Sequence, residues 1–99
     1  MREITMSMHV DKYADSTEYE KHKIGLTPYS RDVLELVQAS LYTHDTSIEG
    51  IVLRLQKYMR PTAKPRQVKA SIHDLIKREL IYLDKKEKKY RSITWRAIL

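Results

Sequence analysis

Arg66, Lys69, Ala70, His73 and Lys77 recur at intervals that bring them onto one stripe of a helix. The stripe holds no acid. A cationic stripe with one small residue suits a helix lying in the major groove of a duplex, because Arg and Lys reach phosphates and guanine edges while Ala allows close approach. Gln67 sits beside it, where it could read adenine from the groove rim, and Ser71 lies on the flank within reach of a phosphate. Lys64, just ahead, adds its charge to a helix N-terminus that already attracts anions. A second basic group follows: Lys85, Lys86, Lys88, Lys89 and Arg91 crowd together at what reads as a hairpin tip. Lysine is a point charge and lacks the planar fork of arginine, so the tip is expected to add affinity and salt sensitivity more than sequence choice. The bland alternatives are the exposed face of an amphipathic helix and a solvated turn. Tyr90, beside Arg91, is the one aromatic placed to stack on a base; Tyr29, Tyr42, Tyr58, Tyr82 and Trp95 are expected at core edges.

Other chemistry has little support. His9, His22, His44 and His73 are scattered, with no pair at helical ligand spacing, and there is no cysteine and no glycine-rich phosphate loop. The expectation is therefore no enzyme, no metal and no cofactor. Charge is distributed unevenly, in a way that the formal net of +6 conceals. Residues 1–59 hold seven Lys/Arg against nine Asp/Glu, a net of −2, whereas residues 60–99 hold twelve against four, a net of +8. Such asymmetry suggests that one end of the fold meets a polyanion. A chain of 99 residues has room for one modest core. No run is apolar enough to cross a bilayer or to act as a secretory signal, so the expected location is cytoplasmic, at the nucleoid or in a nucleus.

The elements that must position these residues read clearly from residue 27 onward. Thr27 is a good N-cap and Pro28 suits the first helical position, opening a helix whose apolar stripe is Val33, Leu34, Val37 and Leu41, up to about Tyr42. Thr46-Ser47-Ile48-Glu49 has the form of a capping box led by Thr46. It starts a second helix with Ile48, Ile51, Val52, Leu55 and Met59 toward the core, ending at Arg60-Pro61. Pro65 opens a third helix with Val68, Ile72, Leu75 and Ile76 as its apolar stripe. Leu80-Ile81-Tyr82-Leu83 is then β-prone, residues 84–89 form a polar turn, and Tyr90 to Trp95 alternates like a returning strand. Residues 1–26 read as a polar arm ahead of a domain over 27–99. Within the arm Ile4–Val10 alternates as a strand would, with a partner that local pattern cannot identify.

Three helices and a hairpin in this order define the expected fold class: mainly α with a small β-hairpin, a three-helix winged helix-turn-helix. Residues 27–95 resemble that superfamily in architecture. Leu75-Ile76-Lys77-Arg78-Glu79-Leu80-Ile81 looks like its pattern at the end of the third helix, with Glu79 where many members have glycine. Glycine there permits a left-handed cap that glutamate adopts only at some cost. The C-terminal winged-helix domain of cullins also lacks that glycine, and Val68–Glu79 and Tyr90–Ile93 are similar to its end. The lysine modified in cullins would fall near Gln38, so that modification is not implied. The resemblance implies a fold more than a function, and the basic surfaces placed on that fold support two functions. One is a small transcriptional regulator that binds double-stranded DNA, as a homodimer formed through the arm or the first helix. The other is an interaction module that docks an acidic protein.

Overall fold

The computed structural model describes residues 10–13, 21–40 and 44–96, with side chains described for 21–40 and 44–93. Its elements are strand β1 (Val10–Tyr13), helices α1 (Pro28–Ala39), α2 (Ile48–Tyr58) and α3 (Pro65–Lys77), and strands β2 (Ile81–Asp84) and β3 (Lys89–Arg96). The fold is mainly helical, with a small antiparallel hairpin after the third helix.

Helix α1 begins as its sequence dictates. The Thr27 hydroxyl accepts the Ser30 amide at 3.1 Å, and Pro28 occupies a position whose missing N–H has no role there. Val33, Leu34, Leu36 and Val37 are buried, so the apolar face is wider than the expected stripe. The helix ends at Ala39, short of the expected Tyr42, because Ser40 turns extended (ψ 137°) and its hydroxyl caps the Leu36 carbonyl at 2.6 Å. Leu41 and Tyr42 lie outside the described residues.

The start of α2 corrects the expected cap. Ser47, and not Thr46, is the N-cap, its hydroxyl accepting the Gly50 amide at 3.1 Å. Thr46 is drawn into the interior, where its carbonyl accepts the Tyr90 amide at 3.1 Å and ties the α1–α2 connector to β3. Its own hydroxyl is buried without a hydrogen bond. Asp45 completes the turn by accepting the Ser47 amide at 2.9 Å. Gly50 is required by this geometry, since a Cβ there would lie 2.6 Å from Asp45 Cγ and closer still to the Asp45 carbonyl oxygen. Two residues before the expected break, α2 stops at Tyr58. Met59 leaves helical geometry (φ −135°) and is 36% exposed, so it does not belong to the core face with Ile51, Val52 and Leu55. The connector to α3 is fixed by hydrogen bonds from the Ala63 amide to the Arg60 carbonyl (2.9 Å) and from Gln56 Nε2 to the Ala63 carbonyl (2.8 Å), with Ala63 buried.

Val68, Ser71, Ile72 and Leu75 of α3 pack inward, while Ile76 is 40% exposed at the edge of the stripe. The end of α3 is a Schellman turn: the Leu80 amide reaches the Leu75 carbonyl at 3.0 Å and the Glu79 amide the Ile76 carbonyl at 2.9 Å. Glu79 takes the left-handed conformation (φ 60°) that this turn demands. Leu75 and Leu80, both buried, supply the apolar contact that accompanies such a turn. Leu80 therefore closes the helix, and β2 starts one residue later than its β-prone run.

Strands β2 and β3 pair antiparallel from Ile81 opposite Ser92 to Asp84 opposite Lys89. To this hairpin the structure adds a third strand. β1 runs parallel to β3, Val10 opposite Ile93 through Tyr13 opposite Arg96, giving the order β1-β3-β2. The strand-like run expected in the arm thus meets the sheet at its Val10 end; residues 4–9 lie outside the described residues. The segment 21–26 is also tied to the helices. His22 Nδ1 donates to the Arg78 carbonyl at 2.8 Å, Arg78 returns guanidinium bonds to the carbonyls of His22 (3.2 Å) and Ile24, and Leu26 is buried in the core. Gly25, at φ 82°, makes the bend between these contacts.

Candidate nucleic-acid interface

Helix α3 is positioned by packing against α1 and α2 on one side and β2 at its end. Its inward face is apolar except for Ser71, whose hydroxyl meets that of Ser30 at 3.1 Å in the interior. Ser71 is therefore a helix-packing residue and cannot reach a phosphate. The opposite face carries Arg66, Lys69, Ala70, His73 and Lys77, all exposed, as the spacing predicts. Among the described residues none of these four charged or polar side chains makes a hydrogen bond or ion pair. Asp74, the carboxylate on α3, is taken up at the rim, where both its oxygens accept from Arg78 Nε at 3.0 and 3.1 Å.

Lys64 is the N-cap of α3 and is exposed; an ammonium has no acceptor, so it cannot cap with its side chain. Gln67 does the work from the other direction, accepting the Lys64 amide on Oε1 at 3.1 Å. Tyr29 of α1 donates its hydroxyl to the same oxygen at 3.3 Å. Tyr29 in turn lies under the Arg60 guanidinium, 4.6 Å from ring centroid to Cζ, and Arg60 Nε is held by Asp32 at 2.7 Å. A run from Asp32 through Arg60, Tyr29 and Gln67 to Lys64 thus fixes the start of α3 against α1.

The hairpin tip is organised by an acid that the sequence reads only as part of a polar turn. Asp84 is fully buried; its Oδ1 accepts the amides of Lys86 (3.1 Å) and Glu87 (3.2 Å), and its Oδ2 accepts Arg91 Nε at 3.0 Å. Its carbonyl accepts the Lys88 amide at 2.7 Å, closing the turn with Lys88 left-handed (φ 57°). Burial pushes the Asp84 carboxyl up, but the bond from Arg91, the amides of Glu87 and Lys86 and the Arg91 charge together outweigh this and hold it below the usual carboxylate value. Arg91 is consequently corrected from a tip cation to an interior partner, with a side chain only 10% exposed. The signal available was an Asp two and three residues ahead of free amides, an Asx turn. Lys85, Lys86 and Lys88 are exposed at the tip, as expected, and Lys89 is half-buried at the start of β3. Asp45 is held below its usual value by its bonds with Ser47, and the Lys89 charge contributes.

The charge asymmetry is therefore divided in use. Three arginines of the basic half neutralise Asp32, Asp74 and Asp84 within the fold: Arg60, Arg78 and Arg91. Lys64, Arg66, Lys69, Lys77, Lys85, Lys86, Lys88 and Lys89 make no ion pair among the described residues. Elsewhere, a groove of about 210 Å³ between Lys23–Leu26 and α1 is lined by Lys23, Leu26, Arg31, Asp32, Leu34, Glu35 and Gln38. It is smaller and more polar than a typical small-molecule pocket. Among the described residues there is no cluster of three metal-ligating side chains, and no helix is long and apolar enough to cross a membrane. No protein-family model matches the chain, and neither a curated protein nor a solved structure does so.

Proposed function

We propose that this chain is a non-enzymatic winged-helix protein that binds double-stranded DNA and acts as a transcriptional regulator, with α3 in the major groove and the lysine tip on backbone phosphate. The observation that carries the reading is the exposed face of α3, where Arg66, Lys69, His73 and Lys77 stand without a carboxylate partner among the described residues while Arg60, Arg78 and Arg91 are paired. A face of this kind attracts phosphate through released counterions and offers donors to base edges. One module of this size covers roughly 600–1,000 Å² of protein surface on DNA, so two copies on one site would supply the affinity a single copy lacks. Such a protein works at the nucleoid or in a nucleus.

The test is the salt dependence of binding to random duplex. With about five phosphate contacts, affinity should fall roughly 500-fold between about 50 and 200 mM salt. Absence of binding to any duplex at low salt would sink the reading. Retention on an acidic polypeptide in that case would favour docking of an acidic protein partner.

A further inference from the structure

Gln67 stands on the exposed surface of α3 with half of its hydrogen-bonding capacity already engaged. A carboxamide has an oxygen that accepts and a nitrogen that donates. A backbone amide can only donate, so the atom that meets the Lys64 N–H at 3.1 Å must be the oxygen, and the Tyr29 hydroxyl donates to it as well at 3.3 Å. Both lone pairs are taken. Tyr29 cannot easily release, because its ring is held under Arg60 and Arg60 is held by Asp32. Gln67 Nε2 has no partner among the described residues, and the residue is exposed. A glutamine reads adenine by accepting from N6–H while donating to N7. With its oxygen engaged, Gln67 can only donate.

The rest of the first turns follows the same rule. Lys64, Arg66 and Lys69 have donors and no acceptors, and Ala70 has neither. Asp74, the carboxylate on α3, has both oxygens on Arg78. His73, one turn further along, is the one side chain on the face able to act either way. In the major groove guanine offers two adjacent acceptors, N7 and O6, on one base; adenine offers one acceptor beside a donor, thymine a single acceptor, and cytosine a donor. Resting on the duplex-binding reading above, we infer that the start of α3 is a donor-only surface that selects guanine-rich major-groove edges and discriminates against adenine runs. Gln67 contributes as a donor to guanine O6 or N7, and its link to Lys64 and Tyr29 is what denies it the paired contact with adenine.

The experiment measures affinity of the full chain, by fluorescence anisotropy at one salt concentration, for duplexes that differ only in a central run. The runs are guanine, adenine, and guanine replaced by 7-deazaguanine, which lacks the N7 acceptor. Guanine is expected to bind at least about tenfold tighter than adenine, within the discrimination one bidentate contact provides, and 7-deazaguanine should lose most of that advantage. Gln67→Glu keeps an oxygen for Lys64 and Tyr29 but removes the amide donors, so the guanine-to-adenine ratio should shrink to about threefold or less. Equal affinity for the guanine and adenine duplexes overturns the inference and leaves duplex binding standing. An unchanged ratio in a folded Gln67→Glu variant overturns the role of Gln67. Failure of every duplex to bind overturns the underlying reading and the inference with it.

Discussion

The exposed face of α3 and the β2–β3 hairpin are both rich in positive charge, yet they are built differently. On α3 the cations stand on a helix whose geometry is set by the apolar residues opposite them, so Arg66, Lys69 and Lys77 take no part in holding the fold. In the hairpin one cation, Arg91, is spent on a buried carboxylate, and the tip lysines ride on the turn that this pair organises. Charge therefore depends on a structural ion pair in the hairpin and is independent of one on α3. Arginine and lysine divide accordingly. A planar fork satisfies a buried or half-buried carboxylate, and Arg60, Arg78 and Arg91 all do so, whereas the strongly hydrated ammonium groups remain at the surface. Among the described side chains of residues 60–93, Arg66 is the arginine left exposed.

The sharpest way to break this contrast is to remove Asp84. Asp84→Ala removes the buried carboxylate that accepts Arg91 Nε and the amides of Lys86 and Glu87, and is expected to cost about 3–5 kcal/mol in urea unfolding. Replacing both members, Asp84→Ala with Arg91→Leu, should recover part of that loss, because an apolar pair avoids burying the Arg91 charge away from the Asp84 carboxylate. A cost below about 1 kcal/mol for Asp84→Ala would mean that the pair does not hold the tip. Acid titration probes the same site. The folded Asp84 carboxyl lies below its unfolded value of 3.8, so its contribution is present above that value and lost as pH falls through the lower folded one. Stability should therefore drop on acidification below about pH 4, and Asp84→Asn should show a shallower drop.

Next in size are the tip lysines. Replacing Lys85, Lys86, Lys88 and Lys89 with Ser should lower the salt slope of duplex binding by about 3–4, at about 0.9 per lost phosphate contact, with little change in sequence preference. Arg66→Ala or Lys69→Ala should instead relax preference at particular base pairs, by about 1–3 kcal/mol each. Equal losses across all sequences in every variant would erase the distinction between the two regions. The smallest effect concerns the joint between them. Glu79→Gly removes a left-handed strain of about 1 kcal/mol, and its unfolding midpoint should rise accordingly. A lower midpoint would mean that contacts of the Glu79 side chain outweigh the backbone cost.

What the sequence makes legible is what neighbouring residues decide. Thr27-Pro28 and Pro65 set two helix starts, 3.6-residue periodicity marks Val33, Val37, Ile51, Leu55, Val68, Ile72 and Leu75 as core, and the exposed face of α3 follows from the same period. The left-handed demand at Glu79 is readable because the position after a helix end favours glycine. Misreadings came from distant contacts. Thr46 loses the cap to Ser47 because β3 claims its carbonyl, and Ser71 is buried because α1 brings Ser30 against it. Arg91 turns inward to an acid seven residues away across the turn. Parallel pairing of Val10–Tyr13 with Ile93–Arg96 joins segments some eighty residues apart, and no local pattern encodes such a partner. Met59 and Ile76 sit at the ends of their stripes, where a small change in helix length decides exposure.

The most direct measurement is residue-level mapping of the duplex contact by amide chemical shifts of the isotope-labelled chain. Addition of duplex DNA at low salt should move the amides of Arg66, Gln67, Lys69, Ala70, His73 and Lys77 together with those of Lys85, Lys86 and Lys88, and leave Arg31, Glu35 and Gln38 of α1 in place. Shifts confined to α1, or none at any duplex concentration, would contradict the account.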